Sequence, residues 1–337
     1  MKLEYLNKII IGGWQLSQGH SEASQTEALK VIESYYAAGF RVFDCADIYT
    51  GVEANIGNFI RAHGLGPDDI KVHTKYVPDM TMLETLTFEQ TEVIIDRSRS
   101  RLGLEQLDLV QFHWWHYPSG SYLAALDSLK KLKELGKLRE IGLTNFSAER
   151  VQGIVDHGIP VASIQVQYSV IDRRATKRLE QVTQANDIQL LCYGSVAGGL
   201  LSDHYLDKSE PQEPHENRSL TKYLLMVEEM GGWDALQALL GVLRAIANTH
   251  NTDIASLASA YCLAQAAVRA CIVGARNTKH LQEHVALRDG LELSATELTQ
   301  IETVRSKFKA IPGDVYELER DVEGRHGRIM KYNLNKG

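Results

Sequence analysis

The chain has 337 residues, and its length fits either one large barrel or two domains of average size. Hydrophobic residues make up 44% of it and charged residues 23%, which is the composition of a globular protein with a sizeable core. The net charge of −7 argues against a general binder of nucleic acids or of membrane surfaces.

Short β-rich runs alternate with longer amphipathic segments over the first 193 residues. The amphipathic segments are predicted as helices, and several end at a glycine or an asparagine, as left-handed helix caps predict. A strand, a helix and a parallel strand in series require crossover connections. The runs predicted as strands are NKIIIGG (7–13), RVFD (41–44), IKVHTK (70–75), LDLVQFH (107–113), LREIGL (138–143), ASIQVQ (162–167) and IQLLCY (188–193).

Residues 194–233 interrupt this alternation, because they hold most of the loop signals of the chain, including the run KSEPQEPHENRS. We predict a long loop region there, over the barrel mouth. Two helical patterns then lead to ACIVG (270–274), the eighth predicted strand. Two further predicted helices, at 277–289 and 294–309, precede a charged C-terminal tail at residues 311–337.

Eight strands with helices between them predict a single (β/α)8 TIM barrel domain that spans residues 1–337. The enlarged connection after strand 7 and the C-terminal tail are expected to cover part of the mouth. An open, doubly wound sheet is the alternative. The first strand–helix junction, GGWQLSQGHSE, lacks the G-x-G-x-x-G fingerprint of such a sheet, and this favours the barrel.

Four reactive side chains stand at or near the carboxyl ends of three neighbouring predicted strands. Asp44 ends the second strand and Tyr49 follows it, while Lys75 ends the third strand and His113 the fourth. In a parallel barrel these ends converge on the mouth, where such folds carry out their chemistry. Reduction of a carbonyl by hydride needs a general acid, and a tyrosine with a pKa of about 10 is too weak alone. A lysine cation would lower that pKa, and a carboxylate would hold the lysine.

Each of these residues also has an ordinary structural explanation. An aspartate at a strand end often caps the next helix, a lysine there is often solvated, and a histidine is often a core residue with satisfied hydrogen bonds. For any one of them alone we would favour that explanation. Their joint position at three consecutive strand ends favours a catalytic site made of Asp44, Tyr49, Lys75 and His113.

The segments FDCADIYTGVEANIG, VHTKY and LDLVQFH resemble the three active-site signatures of the aldo-keto reductase superfamily. The resemblance continues through LREIGLTNF, IQVQYSVIDRR, LCYGSVAGGLL and CIVGARNTKHLQEH, over roughly residues 8–290. It implies a (β/α)8 barrel that binds an extended nicotinamide dinucleotide without a Rossmann domain. It also implies that Tyr49 is the general acid–base, that Lys75 and Asp44 tune it, and that His113 orients the substrate carbonyl.

The resemblance further implies where the dinucleotide binds. Hydroxyl and amide groups at the ends of strands five and six would fix the nicotinamide carboxamide, and Tyr193 would stack on the ring. The small residues of GSVAGG would let backbone amides approach the pyrophosphate. The residues expected at the cofactor are Trp14, Thr144, Asn145, Gln165, Tyr193, Ser195, Gly274, Arg276 and His280.

Two cations favour NADP(H) as the cofactor. Arg276 and Lys279 stand at the start of a predicted helix, where cations oppose the helix dipole unless an anion is bound. This favours a phosphate site that includes a 2′-phosphate. His280 stands where the family commonly has arginine or glutamine, and a neutral histidine binds phosphate less well than arginine does. NAD(H) therefore stays an alternative.

Aromatic residues are expected to bind the substrate. Tyr76, Trp114 and Trp115 directly follow the strands that end in Lys75 and His113, and we expect them to line the mouth. Such a wall suits a small apolar or sugar-like carbonyl compound, or the corresponding alcohol. Two other functions compete with this one: a Schiff-base lyase with Lys75 as nucleophile, and a non-catalytic subunit that binds a dinucleotide or senses redox state. The sequence does not predict the oligomeric state.

The remaining signals favour a cytoplasmic protein without a metal site. The cysteines show neither a CxxC pair nor a zinc-binding spacing. No apolar run approaches the roughly 20 residues that a membrane-spanning helix needs. The first residues, MKLEYLNKIIIGG, lack the apolar region of a secretory signal.

Overall fold

The computed structural model describes residues 3–17, 24–176 and 178–335. In these residues the predicted strands form one closed parallel barrel in chain order, in which the first strand pairs with the eighth. The prediction of a (β/α)8 barrel is therefore confirmed. A doubly wound sheet is excluded, because an open sheet has two unpaired edge strands and this sheet has none.

The strands and helices alternate as far as the seventh strand. The strands are β1 (Ile9–Gly12), β2 (Val42–Asp44), β3 (Lys71–Tyr76), β4 (Leu107–Phe112), β5 (Leu138–Thr144), β6 (Val161–Gln167), β7 (Gln189–Tyr193) and β8 (Val268–Gly274). The helices are α1 (Gln25–Ala37), α2 (Val52–His63), α3 (Phe88–Leu102), α4 (Tyr122–Glu134), α5 (Ala148–Asp156), α6 (Arg178–Ala185), α7 (Arg218–Met230), α8 (Trp233–Thr249), α9 (Ile254–Leu263), α10 (Leu281–Asp289), α11 (Ala295–Arg305) and α12 (Glu317–Arg320).

The barrel strands have no solvent face. Every residue of β4 and β6 is buried, including the polar Gln111 and Gln165. Helices cover a parallel barrel outside and side chains fill it inside, which explains the near-continuous apolar runs of the sequence. Polar side chains in such strands need partners inside the protein. Gln111 and Gln165 find theirs at the level of the candidate site.

Local signals position the helices around this barrel. Ser24, Thr87 and Ser294 each form a capping box at the start of α1, α3 and α11. Gly64 and Gly103 end α2 and α3 in the left-handed conformation, at φ 61° and 69°. Within the described residues, no helix is both long and apolar enough to cross a bilayer.

Two element predictions are wrong after strand 7. Residues 194–233 are not only loop, because they contain helix α7, which begins after Asn217. The Asn217 side chain accepts a hydrogen bond from the Leu220 backbone N–H at 3.0 Å. The proline-rich, charged run before Asn217 conceals this helix in the sequence. The helix predicted at 277–289 begins only at Leu281, since residues 277–280 form a turn.

The C-terminal tail, described as far as residue 335, lies across the barrel mouth. Tyr316, directly before α12, packs against His113 with 5.5 Å between the ring centroids. Farther along, the backbone N–H groups of Leu334 and Asn335 both donate to Asp79 Oδ1, at 2.8 and 2.9 Å. The tail is thus attached to the loops of the mouth at both of its ends.

Candidate active site

Lys75 and Asp44 form a buried ion pair inside the barrel. The side chains are 5% and 4% exposed, and the Lys75 ammonium also donates to the Cys45 carbonyl at 3.0 Å. Burial disfavours the charged amine, but Asp44, Tyr49 and Cys45 together outweigh it and raise the pKa of Lys75 above its usual value. Lys75 is therefore a fixed cation. A Schiff-base nucleophile needs a neutral amine, so this pairing argues against a lyase.

Two buried amides complete the hydrogen bonding of Asp44. Gln111 and Gln165 each donate from Nε2 to Asp44 Oδ2 at 2.7 Å, and Gln165 also donates to Gln111 Oε1 at 2.7 Å. Gln165 was predicted to bind the nicotinamide carboxamide, and in the structure its Nε2 is occupied by Asp44 and Gln111. Gln111 was not predicted at all. Its signal is a polar residue within the buried, mostly apolar run LDLVQF.

Tyr49 lies beside this cation at the mouth. The Lys75 Nζ atom is 5.0 Å from the centroid of the Tyr49 ring, and the Trp14 ring is 4.8 Å from it, centroid to centroid. Burial raises the pKa of Tyr49, and Lys75 lowers it only in part, so the pKa stays above the usual 10.0. The cation acts in the expected direction, but the loss of solvent has the larger effect. The phenol therefore keeps its proton at neutral pH.

His113, directly after β4, is neutral and held in one orientation. Its Nδ1 donates to the Thr144 carbonyl oxygen at 3.2 Å, which fixes the ring proton on Nδ1, since a carbonyl oxygen can only accept. Burial holds the pKa of His113 well below its usual range, and Arg320, Lys222 and Lys75 lower it further. The other ring nitrogen is buried and has no hydrogen-bond partner among the described residues.

Of the three residues of the predicted aromatic wall, one lies beside His113 and two point away from the mouth. Trp115 packs edge-on against His113, with 4.4 Å between centroids and an interplanar angle of 86°. The Tyr76 hydroxyl instead forms a 3.0 Å hydrogen bond with Thr91 Oγ1 of α3. Successive side chains of a strand point to opposite faces, so the neighbour of the inward Lys75 points outward.

Trp114 also leaves the mouth. It is fully buried, packs on Phe112 at 5.7 Å between centroids, and donates from Nε1 to the Ser119 carbonyl at 3.2 Å. The alternation that turns Tyr76 outward applies here too, because Trp114 lies between the inward His113 and Trp115. Trp115, but not Trp114, therefore lies on the mouth side of the barrel beside His113.

An ion cluster that was not predicted holds the tail on the barrel. Arg174 donates to both carboxylate oxygens of Glu319 at 2.9 Å, and also to Asp172. All three side chains are at most 3% exposed. Arg174 and Glu319 are 145 residues apart in the chain, so no local pattern could have paired them. The cluster fixes α12 and, with it, the position of Tyr316.

Arg320 joins the same helix to the loops around the site. Its guanidinium donates to the carbonyl oxygens of Trp114 at 2.6 Å and Asn145 at 2.7 Å. It also lies 4.3 Å from the centroid of the Tyr117 ring. The backbone beside His113 is thus held by the tail as well as by the barrel.

Comparison with known proteins decides the family. Residues 8–306 match the model of the aldo/keto reductase family. The chain belongs to this family. This confirms the resemblance drawn from the active-site segments, and it extends the match into the helices that follow β8.

Individual relatives of this aldo/keto reductase family member are distant. The chain is 29% identical over 243 residues to flagellar radial spoke protein 5 of Chlamydomonas reinhardtii, covering 61% of this chain and 46% of that one. It is 31% identical over 190 residues to an aldo-keto reductase of Mycobacterium sp. (strain MCS), covering 56% and 64%. The chain thus spans about half to two thirds of the length of these curated relatives. Over more of its length it is similar to the chloroplastic pyridoxal reductase of Arabidopsis thaliana, at 26% identity over 306 residues, covering 86% and 80%.

Solved structures share the fold of this family member. The glycerol dehydrogenase of Gluconobacter oxydans gives a TM-score of 0.76 at 19% identity, covering 91% of this chain and 94% of that one. An aldo-keto reductase of Bacillus halodurans in its holo form gives 0.72 at 21%, covering 93% and 95%. At these identities the likeness establishes the barrel alone.

For an aldo/keto reductase, the residues after β5 and β7 are those expected at the nicotinamide. The Thr144 hydroxyl is buried and has no partner in the described part of the chain, so it can bind a polar group of a ligand. Asn145 Oδ1 accepts from the Tyr193 hydroxyl at 3.0 Å, and the Ser195 hydroxyl is paired with Ser259 at 2.9 Å. Among these side chains in the described residues, the Thr144 hydroxyl is thus unpaired, whereas Asn145, Tyr193 and Ser195 already have protein partners.

The end of β8 carries charges of both signs. Arg276 forms an exposed ion pair with Glu216 at 3.0 Å, and Gly274 lies against the Gln15 side chain. His280 precedes α10, and its ring can share one cation with Asp253 and Glu283, whose ligand atoms lie within 4.8 Å of it and of one another. Arg276 is thus available to a phosphate only in competition with Glu216.

Proposed function

We propose that this chain is an oxidoreductase that transfers hydride between NADP(H) and an aldehyde or ketone, or the corresponding alcohol, with Tyr49 as general acid–base. The observation that carries this proposal is the Lys75 ammonium 5.0 Å from the Tyr49 ring, held by a buried carboxylate. A tyrosine that gives up its proton becomes a phenolate, and a permanent cation beside it stabilises that anion.

The protein's part in the reaction is proton transfer. A bound nicotinamide would supply the hydride to the carbonyl carbon. Tyr49 donates its hydroxyl proton to the carbonyl oxygen, which becomes the alcohol, and Lys75 stabilises the phenolate that remains. Asp44 keeps Lys75 charged throughout. In the oxidative direction the phenolate takes the proton back from the alcohol.

Replacement of Tyr49 by phenylalanine tests the assignment. General acid–base catalysis contributes about 10²- to 10⁴-fold, so the variant should lose that much kcat with aldehydes while its Kd for NADPH changes little. Tyr205→Phe, on the connection after β7, is the matched control and should keep full activity. Wild-type turnover by Tyr49→Phe would show that another group is the acid.

Two measurements separate the competing functions. Borohydride in the presence of a carbonyl compound traps a covalent adduct on Lys75 only if the protein is a Schiff-base lyase. Tight binding of a dinucleotide with no turnover of any carbonyl or alcohol would support a non-catalytic subunit. The cytoplasmic location and the small-molecule partner stay predictions from the sequence.

NADP(H) is proposed over NAD(H) because of Arg276. Its guanidinium is 60% exposed at the end of β8, a usual phosphate site in barrels, and its present partner Glu216 is an exposed carboxylate. Surface ion pairs of this kind contribute little, so a phosphate can displace it. Parallel fluorescence titrations with NADPH and NADH test the choice, and tighter binding of NADH would overturn it.

A further inference from the structure

Lys222, in the second turn of α7, is a cation that the proposed mechanism does not use. The nearest carboxylate oxygen to its Nζ atom, Glu319 Oε1, is 4.0 Å away, which is too far for a hydrogen bond. Both oxygens of Glu319 already accept from Arg174 at 2.9 Å. Within the described residues, the Lys222 ammonium therefore has three N–H groups and no acceptor for them.

Three tyrosine rings surround this ammonium without neutralising it. The Nζ atom is 5.3 Å from the centroids of the Tyr193 and Tyr316 rings and 5.4 Å from that of Tyr223. Such rings attract a cation weakly and supply no negative charge. Burial lowers the pKa of Lys222, and Glu319 offsets this only in part. An anion bound at Lys222 would therefore stabilise a charge that the protein itself stabilises poorly.

The surroundings of Lys222 hold more cations than carboxylates. Arg218 lies one turn earlier on the same face of α7, and it donates to a backbone carbonyl of the tail rather than to a described carboxylate. Arg320 also donates to backbone carbonyl oxygens. The two buried carboxylates of this region are already bound to Arg174. Like charges so close together repel one another, and an anionic ligand would remove that repulsion.

Lys222 lies close to the candidate catalytic residues. The Tyr316 ring is 5.3 Å from the Lys222 Nζ atom and 5.5 Å from the His113 ring, so the ammonium is at most about 11 Å from that ring. Burial lowers the pKa of His113 most, and Arg320 and Lys222 lower it further, so Lys222 acts electrostatically on this site. Lys222, Tyr49 and Tyr193 are all partly exposed, and a ligand can therefore reach them from solvent.

We propose that Lys222 binds an anionic group of the substrate, a carboxylate or a phosphate, while Tyr49 protonates the substrate's carbonyl oxygen. This rests on the proposed function and narrows its substrates to small carbonyl compounds that carry a negative charge. An anion that lies between Lys222 and His113 and accepts a hydrogen bond of about 2.8 Å from the ammonium is within about 8 Å of the His113 ring. Only a few bonds therefore separate the anionic group from the carbonyl.

The phosphates of the dinucleotide are the other anions with the chemistry to bind Lys222. The loop expected at the pyrophosphate touches α7, since a Cβ atom on Gly198 would lie 3.2 Å from the Ser219 carbonyl oxygen. The substrate is favoured because Lys222 contacts Tyr316, the ring that packs against His113. The affinity for the dinucleotide distinguishes the two sources.

Two para-substituted benzaldehydes test the proposal with the intact protein and NADPH. One is 4-carboxybenzaldehyde, which carries a carboxylate, and the other is methyl 4-formylbenzoate, which carries the neutral methyl ester at the same position. The ester withdraws more electron density, so reactivity alone favours the neutral compound. We expect kcat/KM for the carboxylate to exceed that for the ester by about tenfold to a hundredfold. A ratio of one or below in the wild-type protein would overturn the proposal.

Three variants assign the preference to Lys222. Lys222→Met keeps the length of the side chain but removes its charge, and it should bring the ratio to one or below. Lys222→Arg keeps the charge and should retain a ratio well above one. Lys208→Met, at an exposed position on the same connection, is the matched control and should keep the wild-type ratio. A purely structural role of Lys222 would lower both values together and leave the ratio unchanged, and that result would refute the assignment.

Fluorescence titration with NADPH identifies the source of the anion. Lys222→Met should leave the Kd for NADPH within about threefold of wild type, because the charge contact is made by the substrate. A weakening of NADPH binding by about tenfold with an unchanged aldehyde ratio would show that Lys222 binds the dinucleotide instead, and this would overturn the proposal. If both aldehydes are reduced at a ratio of one or below, only the substrate class is wrong. If no carbonyl compound is reduced at all, the proposed function fails and the substrate class fails with it.

Discussion

Loss of the charge on Glu319 is expected to release the tail from the barrel mouth. The change is Glu319→Gln, which keeps the shape of the side chain but removes the anion that binds Arg174 at 2.9 Å through both oxygens. Burial alone would raise the pKa of Glu319, but Arg174, and then Lys222, lower it from 4.5 to about 2. That depression corresponds to about 3 kcal/mol. It agrees with the ~3–5 kcal/mol lost when one partner of a buried pair is removed.

Hydrogen exchange measures this release locally. If the tail detaches without unfolding the barrel, about 3 kcal/mol corresponds to a loss of roughly a hundredfold in protection for residues 314–335. Peptides from β4 and β6 should keep their protection. The matched control is Glu323→Gln, since Glu323 is 86% exposed on the same tail and its partner Arg328 is 3.6 Å away.

The pH dependence of hydrogen exchange tests independently whether the Glu319 carboxylate stabilises the attached tail. A carboxyl group with a depressed folded pKa stabilises the protein above its unfolded pKa of 4.5, and this is lost as pH falls toward 2. Wild-type tail protection should therefore fall over that range, whereas Glu319→Gln should show no such fall. Tail exchange in Glu319→Gln within twofold of wild type at neutral pH would refute the reasoning.

Three further changes have definite expected results. Arg276→Ala should weaken NADPH binding by tenfold or more in fluorescence titration and leave the affinity for NADH unchanged. An equal loss of affinity for both would show that Arg276 does not bind the 2′-phosphate. Gln111→Met removes one hydrogen bond to Asp44 and should lower kcat by about tenfold with the Kd for NADPH unaltered. An unaltered kcat would show that the hydrogen bond from Gln165 is enough to hold Asp44. Burial, and then Glu53, raise the pKa of Asp47 to about 8, so its ionisation destabilises the fold as pH rises from 3.8 toward 8. Asp47→Asn should therefore raise Tm, relative to wild type, more at pH 9 than at pH 4, and a constant difference would contradict this.

The barrel and the centre of its site could be predicted because both follow from local patterns. Buried parallel strands are mostly apolar along their length, so β4 and β6 appear as apolar-rich runs such as LDLVQF. Residues at the ends of such strands meet at the mouth, and this brings Asp44, Lys75 and His113 together. The roles of these side chains followed from their chemistry and from the family resemblance.

The tertiary structure decided what depends on the surroundings of each side chain. Strand-end position alone does not distinguish inward from outward, and so Tyr76 was misplaced. The net pKa of Tyr49 depends on how much solvent it loses, which no pattern records. The tautomer of His113 depends on a carbonyl in the next strand.

The contacts of the tail also depend on the tertiary structure, and they join residues that are far apart in the chain. Its charges were visible in the sequence, but the pairing of Glu319 with Arg174 joins residues 145 positions apart. Periodicity reports only on neighbours within a turn or two of a helix or strand, whereas this contact exists only after the barrel has closed. The sequence by itself determined the barrel and the group of reactive side chains at its mouth. Only the folded chain determined which contacts hold the tail over the mouth, and which hydrogen-bonding atoms lie unpaired there.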